Sequence, residues 1–177
     1  MSESDRCAKY KAHRGVHEAF EKGDLDALKA AMGNPPDFPN ALISFDLAVW
    51  DYCLEYAVYW SPLPFIRTLL ELGASPNYKD QTGFPSLIAA LSTDRADKYD
   101  ILELLLSFGA DTQQRGVNDY TPLHYAVGCH DLKAIELLLS HGADPNADDC
   151  TTPLEDAEKI GFTEAVQILR KFAPRSS

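Results

Sequence analysis

A short phrase recurs along this chain at nearly fixed spacing, and that recurrence limits the possible folds more than any other feature. Gly142-Ala143-Asp144 repeats as Gly109-Ala110-Asp111 and as Gly73-Ala74-Ser75, with the glycines 33 and 36 residues apart. Leucines precede each copy: Leu137, Leu138 and Leu139, then Leu104, Leu105 and Leu106, then Leu69 and Leu70. The best-defined copy, Asn118 to Ala147, holds two short apolar runs at helical spacing. Leu123, Ala126 and Val127 form one; Leu132, Ile135, Leu138 and Leu139 form the other. Thr121 suits a helix cap, and Pro122 suits a first turn, where its missing N–H is not needed. Gly142 suits the residue after the second helix, where a positive φ is wanted. Helices this short bury no core alone, so each unit has to stack on copies of itself.

Thr121-Pro122-Leu123-His124-Tyr125-Ala126 carries the T-P-L-H-x-A signature. With a two-helix unit and a period near 33, the chain resembles ankyrin-repeat proteins. The resemblance implies an all-α solenoid with short β-hairpin or loop fingers between helix pairs. It covers about residues 15–172 as one domain, with a lead-in at 1–14 and a tail at 173–177. Five helix pairs are expected, at about 15–33, 45–77, 80–112, 116–146 and 149–172, three resembling internal repeats and two acting as caps. The second unit has Tyr52-Cys53 in place of Thr-Pro and follows a link with three prolines, Gly33 to Asn40. The third carries three extra residues between Leu91 and Ile101, and that loop is expected to protrude.

Charge narrows the choice of partner. The chain has 16 basic and 27 acidic residues, a net charge of −11, shared by both halves. An acidic surface repels phosphate backbones and anionic lipid, so neither nucleic acid nor membrane is expected as a partner. A protein with a basic surface is the expected one; the alternative is that the charge serves solubility alone. The N-terminal stretch MSESDRCAKYKAH lacks the apolar segment of a signal peptide, and a cytoplasmic location is expected. Cys7, Cys53, Cys129 and Cys150 show neither a C-x-x-C pair nor zinc-type spacing with histidine, so free thiols are expected, with no metal and no cofactor.

No residue pattern points to catalysis, and the chain is read as a non-enzyme. The resemblance implies that His124 ties the finger backbone to the helix start, whereas Glu155 stands at that place in the fifth unit. Asp144, Asn146, Asp148 and Asp149 lack the twelve-residue loop of a calcium site and read as turn residues. Asn146 also sits where some ankyrin proteins are hydroxylated on asparagine, although Pro145 replaces the usual aliphatic neighbour.

In the family, partners are held on the finger tips and on the concave side, near the ends of the first helices. Carried over position by position, that rule selects Trp50, Asp51, Tyr59, Trp60, Phe84, Asp119, Tyr120, Cys129, Asp148 and Asp149 as partner-binding residues. Ser92, Thr93, Gly128, Lys159 and Ile160 complete the concave rim. Aromatic residues dominate binding energy at interfaces, and a charged fringe steers approach. The competing reading places Trp50, Tyr59 and Trp60 in the core, filling gaps left by the missing Thr-Pro. The expected function is a protein–protein interaction module, either an acidic inhibitor or immunity-type protein or an adaptor; the alternative is an accessory of an enzyme.

Overall fold

In the computed structural model, residues 3–44, 50–77, 85–116, 119–148 and 150–173 are described. They form ten helices and one pair of short strands. Two compact units divide the chain, Met1–Ser75 and Pro76–Ser177.

The first unit opens with α1 (Glu3–Lys22), α2 (Leu25–Ala31), β1 (Leu42–Ser44), β2 (Trp50–Tyr52), α3 (Cys53–Trp60) and α4 (Leu63–Glu71). The helix expected from Gly15 onward therefore starts at Glu3 and takes in most of the residues read as a lead-in. Val16, Ala19 and Phe20 of α1 are buried with Leu28 of α2, and Leu54, Ala57, Ile66 and Leu69 of α3 and α4 share that core. Between α1 and α2 the chain reverses at Gly23, whose φ is +65°; a Cβ there would lie 3.1 Å from Phe65 Cβ, so both backbone and space favour glycine. Asp24 then caps α2 by accepting the Ala27 N–H at 2.9 Å. The strands pair antiparallel, Leu42 opposite Tyr52 and Ser44 opposite Trp50, and make the one β-hairpin finger among the described residues.

The second unit continues with α5 (Ser86–Leu91), α6 (Lys98–Ser107), α7 (Pro122–Gly128), α8 (Leu132–Ser140), α9 (Pro153–Lys159) and α10 (Thr163–Phe172). Leu87, Ile101, Leu105, Leu123, Ile135, Leu138, Ala157 and Leu169 interleave in one continuous core. Thr121 caps α7 and Thr152 caps α9, and both prolines fall in the first helical turn. Gly142 follows α8 at φ +85° in open space, so conformation alone selects it.

One side chain stitches consecutive turns together. Asn40, the last residue of the proline-rich link, donates from Nδ2 to Gly73 O at 3.0 Å, and its Oδ1 accepts the Ser75 N–H at 2.7 Å. Asn77 repeats this one period later, with Gly109 O at 2.9 Å and Asp111 N at 2.7 Å. Gln113 holds the next such place, but its amide turns to Thr112 Oγ1 at 3.4 Å instead of reaching Gly142. Arg115 bridges that gap from the finger side, donating to Asp119 O and to Asp148 O, each at 2.8 Å.

Candidate functional site

The first helices end alike. Counting from the N-caps, Trp60, Thr93, Cys129 and Ile160 occupy one equivalent position, and all but Thr93 are exposed. In the first unit this place carries an aromatic cluster. Trp60 is 52% exposed, and the His17 ring meets it edge-on at 5.2 Å. The Tyr56 hydroxyl lies 2.9 Å from His17 Nδ1, and the His13 ring stacks on His17 at 6.5 Å. Tyr59 is half-buried, whereas Tyr56 is buried. Trp60 is therefore a surface ring on a packed base, not a core filler. Trp50 and Asp51 stand in β2, but their side chains lie outside the described residues, as do Phe84 and Asp149 altogether.

The second unit gathers the finger residues at the opposite ends of its first helices. Tyr120 is 43% exposed and stacks on His124 at 5.6 Å. His124 Nε2 donates to Thr151 O at 2.9 Å, which leaves Nδ1 to accept the Thr121 hydroxyl proton at 2.8 Å. Asp119 and Asp148 are exposed, and Arg115 joins their backbones. Glu155, at the place equivalent to His124, instead closes a capping box with Thr152: Thr152 N–H donates to Glu155 Oε2 at 2.8 Å. Cys129 belongs to a different place, at the far end of α7.

Around Cys129 the structure builds a cleft of about 390 Å³ that reading the sequence missed. The loop between α5 and α6 runs over six residues, 92–97, where three, 129–131, join α7 and α8. Ser92, Asp94 and Ala96 of that loop are exposed, in keeping with a protruding insertion, while others of its residues are held by local contacts. Thr93 is 8% exposed and bonds Ala90 O, so it leaves the rim, and Arg95 pairs with Asp97 at 2.7 Å. Just beyond the loop, Asp131 fixes the start of α6. Its carboxylate accepts the Ala134 N–H as the cap of α8, the Lys98 ammonium at 2.6 Å and the Tyr99 hydroxyl at 3.0 Å. Lys98 and Asp131 are 33 residues apart, one repeat period, and that register was the available signal.

The charges follow from this packing. Burial alone would push the Asp131 carboxyl up, but the bonds from Lys98, Ala134 and Tyr99 hold it below its ordinary value. The bond to Asp131 in turn raises Lys98. The Tyr99 hydroxyl is pushed up by burial and by its bond to Asp131. Although Cys129 is exposed as a residue, burial around its sulfur and the Asp131 charge raise its thiol, so it is protonated at neutral pH. Lys133 is exposed, and its ammonium lies 4.1 Å from the centre of the Tyr99 ring. Among the described residues, no three His, Cys, Asp or Glu side chains gather as a metal would require, and no helix is long and apolar enough to cross a membrane.

Comparison with known proteins agrees with the repeat architecture. The family model for ankyrin repeats (3 copies) matches residues 54–149 and 87–174. A fowlpox virus protein named as an ankyrin repeat protein is 33% identical over 159 residues, 87% of this chain and 34% of that protein. A Rickettsia bellii protein of the same description is 30% identical over 127 residues, 70% of this chain and 69% of that protein. A protein of Arabidopsis thaliana named as an E3 ubiquitin-protein ligase is 36% identical over 108 residues, 59% of this chain and 28% of that protein. The chain thus spans about a third of the plant and fowlpox relatives.

Proposed function

The chain belongs to the ankyrin-repeat family, and from that premise we propose that it holds a protein partner on the concave rim and finger face of its repeats. Ankyrin repeats serve generally as protein-interaction modules, and the fold is typically non-catalytic. The observation that carries this reading is Trp60: a large ring, 52% exposed, fixed from beneath by His17 and Tyr56 at the end of a first helix. A rigid, exposed indole contributes binding energy at little entropic cost. Tyr59, Cys129, Tyr120, Asp119 and Asp148 extend the partner-facing set, together with Trp50, Asp51, Phe84 and Asp149 from the sequence. With a net charge of −11, the chain suits a partner with a basic surface and a role as inhibitor or adaptor in the cytoplasm.

The test is capture of the partner from native lysate, its identification, and a measured Kd for the purified pair. Trp60→Ala should weaken that Kd about tenfold or more and leave the melting temperature nearly unchanged, because only the packing against His17 and Tyr56 is lost. An unaltered Kd would remove Trp60 from the interface; a partner bound wholly on the back of the helices would overturn the reading.

A further inference from the structure

We propose that the cleft between the α5–α6 loop and the start of α8 is a subsite for a carboxylate side chain, aspartate or glutamate, of the protein partner; this rests on the binding-module reading above and gives one contact of that partner its chemistry. The cleft's volume of about 390 Å³ has room for one such side chain and its flanking backbone. Its walls present two ammonium groups, Lys98 and Lys133, with Tyr99, Tyr125 and Cys129 between them. The negative charge inside is already engaged. Asp131 has a side chain 8% exposed and is fixed by three donors. Asp94, exposed at the mouth, is the one other acid in the lining.

The two lysines are not engaged to the same degree. One bond to Asp131 leaves further N–H groups on Lys98. Lys133 rests over the Tyr99 ring, and no carboxylate among the described residues pairs with it. In a chain with 27 acidic residues against 16 basic ones, a lysine held over an aromatic ring marks a place where the missing anion comes from outside. The protonated Cys129 thiol adds a weak donor to the lining and no negative charge. Lys98 and Tyr99 stand at the regular start of α6, and the longer loop before it adds Ser92, Thr93 and Asp94 to the cleft wall. Because the chain as a whole repels anions, this contact selects among basic partners by one placed acid and adds little to long-range attraction.

The full chain, labelled with ¹⁵N, is titrated at low ionic strength with the blocked peptide acetyl-Gly-Ser-Glu-Glu-Ser-Gly-amide, with its Gln-Gln counterpart and with inorganic phosphate. The glutamate peptide should shift the amides of Ser92, Tyr99, Cys129 and Lys133, and the glutamine peptide should bind about fivefold more weakly or not at all. Lys133→Gln, at an exposed position, should weaken the glutamate peptide about fivefold, and Lys133→Arg should retain it. Equal shifts from both peptides, shifts elsewhere, or an indifferent Lys133→Gln would each overturn the subsite. Phosphate binding in place of the peptide would show a site for free anions and overturn it too. If the peptide fails while Trp60→Ala still weakens partner capture, the subsite alone falls and the binding module stands.

Discussion

Asn40 and Asn77 each satisfy a carbonyl and an amide two residues apart in the next turn, and the residue at the third such place is one methylene too long to do the same. Gln113 bends back on Thr112. Replacing it with asparagine offers Gly142 O and Asp144 N the partner that Gly73 and Ser75 already have. Gln113→Asn should therefore raise stability by about 1 kcal/mol, the usual net contribution of such bonds, read as a higher urea midpoint with an unchanged slope. An unmoved midpoint would mean that Arg115 already makes good the loss through its bonds to Asp119 O and Asp148 O.

The start of α6 and the start of α8 behave as one element because Asp131 holds both. Asp131→Asn should cost about 2 kcal/mol at neutral pH, since the bond from a charged, half-buried Lys98 is weakened while the cap is kept. The folded carboxyl titrates below its unfolded value of about 3.9, so its stabilisation is full above that value and is lost as pH falls below it. Urea midpoints at pH 7 and pH 3 should therefore differ less in the variant than in the natural protein. Much of this architecture was legible beforehand. Thr121, Pro122, Thr152, Pro153 and the glycines punctuate the last two units with local chemistry that needs no tertiary context. Asn40 was hidden because its role depends on Gly73 and Ser75, 33 and 35 residues away, and nothing near it signals a bond. The cleft was hidden for the same reason: local reading sees three extra residues, while only stacking brings Lys98 and Tyr99 to Asp131. The degenerate motif fits Trp60 to core or surface alike; its exposure at the end of α3 decides for the surface.

At the scale of the whole chain, each compact unit meets the demand for stacked helix pairs in its own way. Met1–Ser75 tolerates a long proline link and a second pair without Thr-Pro, while Pro76–Ser177 keeps the motif and absorbs one insertion. The missing Thr-Pro has a practical outcome. Cys53 stands where Pro122 stands two repeats later, with its Sγ 3.3 Å from Ala41 O and no exposed surface. Burial, with the Asp37 charge added, pushes its thiol up to about 12. A maleimide at neutral pH should thus tag exposed Cys150 readily, exposed but raised Cys129 more slowly, and spare Cys53, as peptide mass mapping would reveal. Labelling of Cys53 would then clock the rate at which the first helix pairs breathe open, giving a built-in chemical stopwatch for one end of the array.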